Sequence, residues 1–197
     1  MNKERLYIDW RKNPQWEEML GEIVSPQVFF EGRNRPKKIL TVNRLQVFPN
    51  ENFVLYSLPP SPKVGKELLA KVSPERVYLV FRSETELSCC QFLETLLGMV
   101  KFDLENKGGR GSLLEMAVAL GQRTETIQFG LDYLVAKGLL EYGLDKFQQV
   151  TLDLGSGKPR IGVGEAERKV RILLEETKAF RRYLVKGPIA QVREYFY

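Results

Sequence analysis

Four basic side chains, Arg33, Arg35, Lys37 and Lys38, surround one proline in EGRNRPKK, and two more, Lys158 and Arg160, stand in LGSGKPRIGVG. Guanidinium and ammonium groups at this density, on segments whose prolines and glycines argue for loops, suit contact with phosphates or with an acidic peptide. The competing reading is a pair of solvated loops. Asp9 closes an apolar run and is a carboxylate that a metal could use. With no second carboxylate or histidine beside it, a structural salt bridge or an exposed position is the expectation. The chain has no histidine. That removes Ser-His-Asp and Cys-His nucleophile systems, His-based zinc sites and His general bases together, and leaves only carboxylate catalysis open. Cys89 and Cys90, the two cysteines, are adjacent on a helical stretch, where neighbouring side chains diverge by about 100°. They lack basic neighbours that would stabilise a thiolate, so reduced thiols without a redox role are expected.

The loop LPPSPK offers a further place for chemistry, because it follows an apolar run and opens a helix, where open α/β sheets bind ligands. Its composition argues against a phosphate cradle. Pro59, Pro60 and Pro62 remove amide donors, and the chain contains neither GxGxxG nor GxxxxGK[ST]. A stiff turn is the expectation.

These groups need elements to position them. With 197 residues, 43% of them hydrophobic, the chain can bury a core. No apolar stretch reaches the roughly 20 residues that span a bilayer, and the first thirty residues are unlike a signal peptide, so a cytoplasmic protein with no membrane partner is expected. Phe53–Ser57 and Val77–Phe81 read as buried strands. Between them Ser61 is a helix cap, Pro62 suits the first turn, and Val64, Leu68, Leu69 and Val72 share a face. Such a crossover makes the two strands parallel. Upstream, Arg5–Trp10 and Val28–Phe30 read as strands around a helix over Pro14–Val24, and Ile39–Phe48 as one or two strands. The order fits a mostly parallel sheet flanked by helices.

At Ser83 the pattern changes. Ser83 with Glu86 makes a capping box ahead of a long helix carrying Leu93, Leu96, Leu97 and Val100. The turn KGGRG follows, then a second box, Ser112 with Glu115, and a helix closed by Gly121. A third helix over Thr124–Lys137 and a hairpin from LLEY and QQVTLDL complete the outline of a winged helix-turn-helix. Charge argues against duplex binding by it. Residues 83–154 carry 6 basic and 11 acidic groups, against 14 and 9 before them and 10 and 5 after them. The third helix offers Glu125, Thr126, Gln128 and Asp132, with Lys137 as its only basic residue, so a protein-contact role is the expectation. After a linker, Glu165–Lys186 is a long amphipathic helix stopped by Gly187 and Pro188. The predicted organisation is α/β: a Rossmann-like domain over 1–82, a winged-helix-like domain over 83–154, and a linker with a C-terminal helix over 155–197.

Several segments together resemble the C-terminal accessory region of RecJ-type exonucleases, which degrade single-stranded DNA from the 5′ end. They are IDWR around Asp9 and Arg11, VLYSLPPS (54–61), ERVYLVF (75–81), KFDL (101–104), EMAVALGQRTETIQFGLDYLVAKGLLEY and LEETKAFRRYL. The resemblance implies a non-catalytic region in DNA repair and recombination, lying after a nuclease core of the same polypeptide that uses manganese or magnesium. It carries over no catalytic, cofactor or metal residue. The partner implied is single-stranded-DNA-binding protein, whose tail is acidic and apolar, another repair protein, or single-stranded DNA. The alternative is a stand-alone winged-helix transcription regulator with a fused α/β sensor domain.

Overall fold

A computed structural model describes residues 5–82 and 86–196. The chain divides into two compact units, one of Met1–Thr85 with Lys178–Tyr197, the other of Glu86–Thr177.

The first unit is built on four parallel strands, β1 (Leu6–Asp9), β2 (Gln27–Phe29), β3 (Asn52–Leu55) and β4 (Arg76–Leu79), in the order β1-β4-β3-β2. β2 and β3 are buried at every position, as expected for a parallel sheet covered on both faces. Alternate side chains point to opposite faces. Val28, Val54 and Tyr78 meet Trp16, Met19 and Leu20 of α1 (Trp16–Glu22) on one side. On the other side Phe53, Leu55, Val77 and Leu79 meet Leu68, Leu69 and Val72 of α2 (Pro62–Val72). Ser61 caps α2 by accepting from the Val64 N–H at 3.3 Å, with Pro62 in the first turn.

The segment 39–48 differs from the expectation of strands. Among these residues only Val42 pairs with the sheet, through a single bridge to Phe29, while Val47 packs its side chain into the core. Asn43 turns the chain instead: its Oδ1 accepts from the Leu45 N–H at 2.9 Å, and its N–H donates to Gln46 Oε1 at 3.2 Å. Such local side-chain bonds compete with a ladder.

The second unit contains α3 (Cys89–Asn106), β5 (Arg110–Ser112), α4 (Leu113–Leu120), α5 (Thr124–Ala136), β6 (Leu140–Leu144) and β7 (Gln149–Leu154). Its sheet is antiparallel, in the order β5-β7-β6. Ser83 lies outside the described residues. The box that caps α3 is Ser88 with Gln91, whose side chains each accept from the other's N–H at 3.3 and 3.0 Å. The stretch expected to be only a turn, KGGRG, supplies β5. Gly109 sits at φ 74°, and a Cβ there would lie 2.3 Å from the Leu152 carbonyl oxygen, so only glycine brings the chain close enough to pair. The core gathers Phe92 and Leu96 of α3, Met116 of α4, and Ile127 and Leu131 of α5.

The C-terminal helix α6 (Val163–Lys186) does not form a part of its own. Val170 and Leu174 belong to the second core, whereas Leu184, with Val192 of α7 (Ile189–Glu194) and Phe196, belongs to the first. The boundary between units therefore falls inside α6 rather than near residue 154. Among the described residues, no helix is long and apolar enough to cross a membrane.

Candidate partner-binding surface

Arg33, Arg35, Lys37 and Lys38 share one loop of the first unit, running from the end of β2 to Val42, and all four are exposed. The loop is fastened at both ends. The N–H of Glu31 donates to Ser57 Oγ at 2.9 Å. The Glu31 carboxylate, fully buried, pairs with the Arg44 guanidinium and also accepts the Arg44 N–H at 3.0 Å. Arg35 acts as an internal staple, its Nε donating to Thr41 Oγ1 and its Nη2 to the Thr41 carbonyl, both at 2.8 Å. Arg35 thus shapes the loop, while Lys37 and Lys38 present charge to solvent. Leu40 stands 86% exposed in the same loop, and Leu45 and Phe48 beyond it are also exposed. Sequence reasoning missed these apolar groups because they read as strand residues.

Lys158 and Arg160 lie in the second unit and so form a separate group. Their backbone is packed: the Arg160 N–H donates to the Ala136 carbonyl at 2.7 Å, and Lys158 crosses over Gly138, where a Cβ would meet the Lys158 oxygen at 2.3 Å. The Arg160 guanidinium pairs with Glu141. Lys158 is exposed.

Asp9 is committed to Arg11, which it binds through both oxygens at 2.8 and 2.6 Å. Arg11 in turn donates to the carbonyls of Leu184 at 2.6 Å and Gly187 at 2.8 Å, closing the C-terminal end of α6. A cation there also meets the negative end of the helix dipole. The hydrogen bond from Arg11 holds the Asp9 carboxyl below its usual range. Among the described residues, no cluster of three His, Cys, Asp or Glu side chains is arranged to hold a metal ion.

The position after β3, where a ligand would enter an open sheet, is filled by protein. Leu58, Pro59 and Pro60 are buried, and Arg181 of α6 donates to the Leu58 carbonyl at 3.2 Å. On α5, Glu125 and Gln128 are exposed, but Thr126 is fully buried and faces the core rather than solvent. Asp132 accepts from the Tyr142 hydroxyl at 2.6 Å. Burial first, and then this bond to a carboxylate, raise the Tyr142 pKa. Lys137 lies over the Tyr133 ring, 5.7 Å from its centre. Burial pushes the Cys89 thiol up, away from the reactive thiolate.

No family model matches this chain, and the searches of curated proteins and of solved structures also found no match.

Proposed function

We propose that this chain is a non-catalytic, partner-binding accessory region of the kind that follows the nuclease core in RecJ-type exonucleases, and that it receives an acidic, apolar peptide tail. The observation that carries this reading is the fastened basic loop. Lys37 and Lys38 are exposed in the same loop as an exposed Leu40, with both ends of the loop anchored. Charge steers an acidic segment to such a loop, and the apolar group gives it something to bury. A loop already held in place also loses little entropy on binding.

The second unit supports a winged-helix reading through its element order, helix, strand, helix, helix, strand, strand, and its sheet order β5-β7-β6. α5 then occupies the recognition position. Its exposed Glu125 and Gln128 favour protein contact over phosphate contact. The alternative, a winged-helix regulator with an α/β sensor domain, requires duplex affinity that falls sharply when Gln128 is changed.

The test is fluorescence anisotropy with a labelled peptide carrying the acidic, apolar tail of single-stranded-DNA-binding protein. Saturable binding is expected at low salt, weakened at least tenfold by the pair Lys37→Glu and Lys38→Glu, and weakened separately by Leu40→Ser. Absence of binding at low salt would overturn the reading. Degradation of single-stranded DNA by the pure chain with manganese would overturn its non-catalytic part.

A further inference from the structure

We infer that the first unit holds a second, independent binding site, for a small zwitterion with an apolar side chain such as a free α-amino acid. A cleft of about 730 Å³ opens at the amino ends of β2, β3 and β4, away from the carboxyl ends that the prolines fill. Small-molecule sites commonly run from roughly 300 to 1,000 Å³. Its back wall is apolar: Trp10 and Tyr78, with ring centres 4.7 Å apart, and Met19 and Ile23 from the α1 region. Its rim carries three exposed charges, the Arg76 guanidinium and the carboxylates of Glu22 and Glu51.

The wall between them is fixed in place. Asn50 Nδ2 donates to the Ser25 carbonyl and Asn52 Nδ2 to the Val24 carbonyl, each at 3.1 Å. Ser25 is held at φ 47°, a left-handed conformation rarely adopted outside glycine. Strain of this kind persists only where the surroundings over-determine it, and it concentrates at ligand clamps. Each amide gives an N–H to this wall, and the rim side chains are the charged groups that line the cleft. Arg76 reaches Asn52 Oδ1 only at 3.5 Å, the outer limit of a hydrogen bond. Its planar fork suits a carboxylate.

The signs of the charges select the ligand class. A simple anion drawn to Arg76 would face two carboxylates, and a simple cation drawn to Glu22 and Glu51 would face the guanidinium. A zwitterion meets both, with its carboxylate on Arg76, its ammonium toward Glu22 and Glu51, and its side chain against the Trp10 and Tyr78 wall.

Titration of the full chain tests this by calorimetry and by tryptophan emission, since Trp10 lines the cleft and Trp16 is the only other tryptophan. L-phenylalanine is expected to saturate below roughly 10 mM, where even a 1 mM site would be nearly full. 3-Phenylpropionate, which lacks the ammonium, and phenethylamine, which lacks the carboxylate, should each bind at least tenfold more weakly. Arg76→Ala should weaken L-phenylalanine about tenfold and leave phenethylamine unchanged. Failure of both L-phenylalanine and L-leucine to saturate would overturn the proposal. So would binding of either analogue as tight as that of the amino acid, an arm that uses the unaltered chain and does not depend on any variant folding.

Discussion

The two units solve the same problem with different materials. The first ties distant parts of the chain together through charge: Glu31 to Arg44 beneath the basic loop, and Asp9 through Arg11 to the end of α6, 173 residues away. The second is held chiefly by apolar contact, with α3, α4 and α5 meeting around Phe92, Met116 and Leu131, while its longer-range ion pairs, Arg123 with Glu176 and Arg160 with Glu141, reach solvent. A parallel sheet leaves its strand ends to loops that must be anchored one by one, and a buried carboxylate does this with direction that an apolar side chain lacks. The cost is fragility when one member of a pair is lost. Both tryptophans lie in the first unit, so their emission reports that unit, while helical circular dichroism reports both.

The contrast is most exposed at Glu31. Glu31→Ala leaves Arg44 partly buried without its carboxylate and should cost about 3–5 kcal/mol, read as an earlier urea midpoint in tryptophan emission. A loss below about 1 kcal/mol would show that charge is not what anchors the loop. The matching test in the second unit is Gly130→Val, because a Cβ there would lie 2.4 Å from Leu96 Cδ2 and 3.0 Å from the Phe92 ring. Overpacking should cost about 1–3 kcal/mol, seen in circular dichroism with the tryptophan transition unmoved. A shared shift would break the separation.

Arg11→Lys keeps the charge but loses the fork that spans Asp9 and two helix carbonyls, and should cost about 1.5 kcal/mol. Asp9 adds a pH signature. Its folded pKa is lowered, so its contribution is present above the ordinary value of about 3.9 and disappears as pH falls below that value. Asp9→Asn should flatten that acid limb, measured as urea midpoints from pH 5 downward. The smallest effect is expected at Tyr142→Phe, which removes the hydroxyl bonded to Asp132 on a half-buried surface and should cost about 0.5–1.5 kcal/mol by thermal denaturation.

The local parts of this fold were legible in the sequence. Ser61 and Pro62 marked the start of α2, and Leu68, Leu69 and Val72 marked its buried face, because caps and periodicity act within a few residues. Phe53–Leu55 and Val77–Leu79 were readable as strands because a doubly covered sheet needs unbroken apolar runs. The strand order β1-β4-β3-β2 was not readable, since pairing across 70 residues leaves no local mark. β5 was hidden because its three residues follow two glycines and carry no alternation. At the candidate surface the basic residues were visible as types, but their separate duties were not. That Arg35 is spent on Thr41 while Lys37 and Lys38 face solvent depends on how the loop folds back. The cleft was illegible for the same reason, being assembled from three strand ends.

The division of the chain at α6 also sets an order in time. The second unit occupies one uninterrupted stretch, Glu86–Thr177, whereas the first lacks Leu184, Val192 and Phe196 until the segment beyond the second unit is made. At roughly 5–20 residues per second during synthesis, the early strands wait on the order of 10 s for the side chains that complete their core. On the ribosome, the first unit therefore begins before the second and completes its core after it.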